Sequence, residues 1–90
     1  MSEALRKKLD ARAQFQLLRV GLKGELEVML LTAAPPTLEQ QVELRNAGCN
    51  TQDIIGNVLS GTIDDASHLE DLADLPFVRK IEVSRTMFSE

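Results

Sequence analysis

Residues 50–63, NTQDIIGNVLSGTI, contain two short runs rich in β-branched residues on either side of Gly56-Asn57. Gly-Asn is a favourable two-residue turn between antiparallel strands, so this stretch predicts a β-hairpin. Gly61, inside the second strand, predicts a bulge or a close approach of a neighbouring backbone, because glycine has no side chain to pack there. The middle of the chain is therefore predicted to be two paired strands.

The helix before the hairpin is predicted from its two ends. Thr37 and Gln40 have the spacing of a capping box, in which each side chain accepts a hydrogen bond from the other residue's backbone N–H. Gly48 suits the other end, because a residue with positive φ closes the last helical turn at little steric cost. The residues of this helix expected to face the core are Leu38, Val42 and Ala47.

A second helix is predicted after the hairpin. Ser67 and Glu70 repeat the capping-box spacing, and Pro76 stops the helix because it has no N–H to continue the ladder. The residues expected to face inward are Ala66, Leu69, Leu72 and Ala73. An alternating strand follows from Phe77 to Phe88.

The run ELEVMLLTA at residues 25–33 predicts a central strand with both faces covered. The order from there is β-α-β-β-α-β, which predicts an α+β fold of the ferredoxin-like class. In that fold a four-stranded antiparallel sheet carries two helices on one face, and right-handed crossovers place the first and third strands in its middle.

The segment before this pattern predicts an extra N-terminal helix over residues 2–20. Its apolar stripe is formed by Ala4, Ala11, Phe15, Leu18 and Leu22. A strand from Phe15 to Val20, pairing back through the turn at Gly21 to Gly24, is the alternative. The helix is expected either to cross the free face of the sheet or to form a homodimer contact. We therefore divide the chain into a basic helix and turn, residues 1–24, and a domain, residues 25–90.

The charge pattern and composition narrow the possible partners. Residues 1–24 hold six Lys or Arg against two acids, whereas residues 25–75 hold one Arg against ten acids. This uneven charge argues against a uniform nucleic-acid surface. The chain has three Phe and neither Trp nor Tyr, so it lacks aromatic rings on which bases could stack. Neither a nucleic-acid partner nor a membrane is expected.

Few residues in the sequence carry the chemistry of a catalytic or metal site. Cys49 is the one cysteine and His68 the one histidine, and two such residues are too few ligands for a zinc site. Cys49 could act as a nucleophile only if His68 lay within hydrogen-bond reach of its thiol. Asp64 and Asp65 are predicted to cap the second helix rather than bind calcium. We expect no enzyme activity and no cofactor. A single cysteine and no secretory apolar segment predict a cytoplasmic protein.

Residues 69–82 contain the spacing LxxLxxLPxVxxIE, from Leu69 through Leu75-Pro76 to Glu82. Together with the helix ending at Ala47-Gly48 and the hairpin glycines, this spacing resembles the N-terminal propeptide, or inhibitor, domain of subtilisin-like serine proteases. The likeness covers roughly residues 25–88.

The resemblance implies a ferredoxin-like domain that chaperones or inhibits a subtilisin-like protease as a separate chain. Such a domain lays its sheet on two surface helices of the protease and inserts its C-terminal tail into the active-site cleft by β-strand addition. The tail residues carried over here are Thr86, Met87, Phe88, Ser89 and Glu90. The alternative function is a dimeric ferredoxin-like sensor or regulatory domain that binds a small molecule.

Overall fold

The computed structural model describes residues 1–86, and the side chains through Ser84. Its elements are α1 (Glu3–Lys8), α2 (Ala11–Arg19), β1 (Leu26–Thr32), α3 (Leu38–Asn46), β2 (Cys49–Ile55), β3 (Val58–Ile63), α4 (His68–Ala73) and β4 (Val78–Thr86). From β1 onward the order is β-α-β-β-α-β, as predicted. The strands form one antiparallel sheet in the order β2-β3-β1-β4. The α+β class and the central position of β1 and β3 are confirmed.

The predicted hairpin is confirmed. Ile55 pairs with Val58 around the turn, and Gly56 has a φ of +61°, which suits a residue without a Cβ. The close approach predicted at Gly61 is also present. A Cβ at this position would lie 2.5 Å from the carbonyl oxygen of Asn50 and 3.0 Å from Sγ of Cys49. Glycine therefore lets β2 and the core cysteine pack directly against the β3 backbone.

The core lies on one face of the sheet. Along β1 the even-numbered residues Leu26, Val28 and Leu30 are fully buried, whereas Met29 is 40% exposed. The prediction that both faces of β1 are covered is therefore wrong at Met29. The rest of the aliphatic core comes from every helix and every strand; its largest members are Leu5, Leu44, Leu59, Ile63, Leu69, Leu72, Val78 and Ile81.

The N-terminal segment forms two helices, so the prediction of one helix over residues 2–20 is wrong. The helical path breaks at Leu9, which has extended backbone angles, and Asp10 caps α2 by accepting a hydrogen bond from the Ala13 N–H. Because of this break, the buried residues of α1 and α2 do not follow the apolar stripe predicted for one continuous helix. The buried residues are consequently Leu5, Leu9 and Ala13, while Phe15 and Leu18 of the predicted stripe face solvent. The alternative strand from Phe15 to Val20 does not form.

The residues around Leu9 cover one edge of the sheet. The Asp10 N–H donates to the Ile81 carbonyl at 3.0 Å, and Oδ1 of Asp10 accepts from the Val83 N–H at 3.3 Å. Both Ile81 and Val83 belong to the edge strand β4. Helix α1 packs on α4 and β4 rather than across the free face of the sheet. The N-terminal segment thus supplies hydrogen bonds that an edge strand would otherwise lack.

Ser2 and Lys8, at the two ends of α1, form hydrogen bonds with the two ends of α4. Nζ of Lys8 donates to the carbonyl of Ala73, the last residue of α4, at 2.8 Å and to that of Leu75, just beyond the helix, at 3.1 Å. Burial, together with the nearby Arg79, lowers the pKa of Lys8. At the other end of α4, Glu70 accepts a hydrogen bond from the Ser2 N–H at 3.0 Å. The predicted Ser67–Glu70 capping box is wrong, because Glu70 binds Ser2 and Ser67 makes no side-chain cap.

The Ser2–Glu70 contact predicts a pH dependence. Hydrogen bonds from Ser2 hold the pKa of Glu70 below its ordinary value of 4.5. Since the folded pKa is the lower one, the contact stabilises the fold fully above the unfolded pKa and is lost as pH falls through the folded pKa. Glu70→Gln should therefore flatten the acid limb of stability, measured by urea unfolding between pH 6 and pH 3. Glu43→Gln, which removes an exposed carboxylate of α3, is the control, and an equal flattening there would contradict the assignment.

Helix α3 confirms the predicted ends but not the predicted buried face. The capping box of Thr37 and Gln40 is formed, and Gly48 ends the helix with a φ of +101°. The core residue is Leu44, whereas Leu38 is 81% exposed and Val42 is exposed as well. The reason is that α3 packs against the edge strand β2, which covers only a narrow side of the helix.

Candidate functional site

The predicted tail residues lie at or beyond the end of the described chain. Thr86 is the last residue of β4, and its backbone pairs with Leu26 of β1. The other four predicted residues, Met87, Phe88, Ser89 and Glu90, lie outside the described residues. The candidate site therefore lies on the sheet itself.

The open sheet surface is the part of the uncovered sheet face formed by Met29, Leu31, Ile55, Val58, Lys80 and Glu82. Strand register brings these residues together. Leu31 lies between Val58 of β3 and Lys80 of β4, and Val58 pairs with Ile55 of β2. Met29 lies next to Glu82 in the same way. Apolar side chains thus occupy three strands, and β4 borders them with one base and one acid.

The open sheet surface has the shape of a shallow contact area. Met29, Leu31, Val58, Lys80 and Glu82 line a depression of about 180 Å³. Ile55, at the rim, is 74% exposed. Apolar side chains exposed together and bordered by charge are the usual composition of a protein-binding area. A β-sheet face of this kind can bury area against a partner.

A second depression, of about 330 Å³, lies between α3 and the edge strand β2. It is lined by Gln41 and Arg45 of α3 and by Asn50 and Thr51 of β2, with Cys49 at its floor. Arg45 is the one basic residue among residues 25–75. The groove therefore offers polar side chains and a guanidinium beside an exposed strand edge.

Cys49 and His68 do not form a catalytic pair. The Cys49 side chain is fully buried, and burial raises the pKa of its thiol to about 11. A thiol with that pKa is protonated at neutral pH and is a poor nucleophile. The His68 ring nitrogens instead lie 3.0 Å from Asp64 and 3.4 Å from Asp71.

Within residues 1–86 no three His, Cys, Asp or Glu side chains converge closely enough to hold a metal ion. In the same part of the chain, no helix has the length and apolar character needed to cross a bilayer.

The sequence contained a signal for the open sheet surface that the prediction did not use. Lys80, Glu82 and Ser84 alternate along β4 with core residues, which already indicates that one face of the sheet is exposed. Met29 and Leu31 of the neighbouring β1 lie on the same face as Lys80 and Glu82.

Comparison with known proteins adds no relative. No protein-family model matches the chain, and neither a curated protein nor a solved structure matches it significantly. The apolar positions of the LxxLxxLPxVxxIE spacing lie in the core: Leu69, Leu72, Val78 and Ile81 are fully buried, and Leu75 packs partly against them. Glu82, the last residue of the spacing, lies on the open sheet surface.

Proposed function

We propose that this chain is a ferredoxin-like, non-enzymatic protein-binding module of the subtilisin-propeptide type. Two features support the ferredoxin-like assignment. Counted from the β4 edge, the strand order is 4-1-3-2, and the two connecting helices α3 and α4 follow β1 and β3.

The observation that carries the proposal is the open sheet surface. Propeptides of this type lay one sheet face on the protease. In this chain, none of the helices α1 to α4 covers the sheet face around Met29 and Val58. Burying these apolar side chains against a partner removes their area from water, which favours association. Lys80 and Glu82 would lie at the rim, where charge contributes more to specificity and association rate than to affinity.

The partner we propose is a subtilisin-like protease, inhibited or assisted in folding by this domain. The sheet would dock on the outside of the protease while residues 86–90 extend from the end of β4 towards its cleft. In the cleft an extended segment forms backbone hydrogen bonds with the edge of the protease, and alternate side chains enter its pockets. Thr86 itself is paired with Leu26 of β1 in the sheet, so the segment proposed to enter the cleft is residues 87–90.

Met29→Lys tests the proposal. It places a charge at the centre of the proposed contact, and we expect inhibition of a subtilisin-like protease to weaken at least about tenfold, because an unpaired charge would be buried there. Deleting residues 86–90 should abolish inhibition. The measurement is the inhibition constant against a panel of subtilisin-like proteases.

Leu38→Lys is the matched control, since it makes the same kind of change on an exposed leucine of α3, away from the sheet face. It should leave inhibition unchanged, with circular dichroism confirming that both variants fold. No slowing of any protease by micromolar wild-type protein would overturn the protease assignment. Equal effects of the two variants would remove the sheet surface as the contact.

A further inference from the structure

Two neighbouring rows of side chains run across the strands on the open sheet surface. In the order β3, β1 and β4, the strand register makes the first row from Val58, Leu31 and Lys80 and the second row from Ser60, Met29 and Glu82. Residues two apart along a strand are separated by about 6–7 Å, so the two rows lie side by side. Each row thus has an apolar side chain on β1 and a charged side chain at its β4 end.

The charges at the β4 ends of the two rows are opposite in sign. Lys80 and Glu82 are both exposed. Among the residues whose side chains the structure describes, none forms an ion pair with either of them. One row therefore ends in a positive charge and the next in a negative charge, and both charges are available to a second molecule.

A twofold axis that lies along the sheet face, at right angles to the strands, exchanges the two rows. On β1 this axis passes over Leu30, which is midway between the rows. In two copies related by the axis, Leu31 of each copy faces Met29 of the other. By the same operation, Lys80 of each copy faces Glu82 of the other. The surface is therefore complementary to itself in apolar character and in charge, as the contact of a twofold dimer must be.

We propose that two copies of the chain form a dimer by packing their open sheet surfaces together about this axis. Facing sheets lie about 10 Å apart with their strands within about 30° of each other, a separation that long side chains such as Lys80 and Glu82 span between them. The occupant of the surface is a second copy, because the chain itself supplies both the apolar partner and the opposite charge in the required register.

The contact is centred on β1 and β4 rather than on β2. Ile55 and Asp53 of β2 pair with Val58 and Ser60, so the axis sets Ile55 of one copy opposite Asp53 of the other. Both residues are exposed, and this side of the contact stays open to solvent. The dimer does not depend on the proposed protease contact. Because both use the same sheet face, a chain in the dimer cannot hold a protease there at the same time.

Reversal of the two β4 charges tests the proposal, with the dimer dissociation constant measured by sedimentation from micromolar to submillimolar protein. The wild type should dimerise as its concentration rises. Lys80→Glu sets acid against acid in both charged contacts and Glu82→Lys sets base against base, so each should raise the dissociation constant at least about tenfold. Lys80→Glu combined with Glu82→Lys in one chain should dimerise like the wild type, because the axis again pairs opposite charges. An equimolar mixture of the two single variants should associate for the same reason.

Arg45→Glu and Glu43→Lys are the matched controls. They make the same charge changes on exposed residues of α3, whose Leu44 lies in the core on the other face of the sheet, and both should dimerise like the wild type. If circular dichroism shows that a charge variant is unfolded, Met29→Ser, which removes an apolar side chain from the contact, carries the same expectation of weaker dimerisation. A wild type that is monomeric at every concentration, single variants that dimerise like the wild type, or a combined variant that stays monomeric would each overturn the proposal.

Discussion

Leu5→Ala should lower the free energy of unfolding by about 2–5 kcal/mol, the usual range for truncating a buried leucine. Leu5 is 1% exposed and lies in the same cluster as Leu69 and Leu72 of α4, so its loss leaves a cavity within the main core. For a domain of this size, each kcal/mol lowers the melting temperature by roughly 4–8 °C. Thermal and urea unfolding, followed by circular dichroism, measure the effect.

The matched control is Leu18→Ala in α2, where the side chain is 70% exposed. Its effect should stay within about 0.5 kcal/mol, as for most surface substitutions. The pair also tests the division of the chain at residue 24. If Leu5→Ala left the unfolding midpoint unchanged, residues 1–24 would lie outside the cooperative unit, and the domain would fold from residue 25 onward without them.

Gly61→Ala should destabilise the fold by about 1–3 kcal/mol, the range for forcing an extra methyl group into a packed core. The new Cβ would lie 2.5 Å from the Asn50 carbonyl oxygen, which belongs to the β2 backbone and cannot rotate away. Strand β2 would have to separate from β3 to relieve the overlap. Because β2 is an edge strand, hydrogen exchange should rise in β2 more than in β1.

Ser60→Ala is the control for Gly61→Ala, because it changes the neighbouring residue of β3 on the opposite face of the sheet. It should leave stability nearly unchanged. If Gly61→Ala were as stable as the wild type, the close packing of β2 on β3 at this position would be wrong.

Local signals in the sequence predicted the elements that depend on a few adjacent residues. The Gly56-Asn57 turn needs only its two residues and the flanking strands, and the Thr37–Gln40 capping box needs only one helical turn. Alternation after Pro76 likewise predicted the strand that forms β4. The order of these elements was then enough to predict which strands are central.

Predictions that depended on contacts distant in the chain were wrong. One continuous helix fits the apolar spacing of residues 2–20, but Asp10 gains hydrogen bonds with Ile81 and Val83 only if the helix breaks beside it. Glu70 has the spacing of a capping residue, yet it binds Ser2, which lies 68 residues earlier. No local pattern contains these partners.

The candidate site shows the same limit. Apolar residues on both faces of β1 indicate a strand covered on both sides, and the sequence does not say that α1 packs beside α4 instead of beneath the sheet. Met29 is therefore exposed, and Leu31 only half-buried, for a reason that lies in residues 3–9. The predicted tail, Met87 to Glu90, remains a prediction.

The contact of Asp10 with β4 makes the two edges of the sheet unequal. Its β4 edge is occupied by Leu9 and Asp10, and the β2 edge has no strand beside it within residues 1–86. A strand added to this sheet would therefore pair more readily with β2, because at β4 it would have to displace Asp10 from Ile81 and Val83.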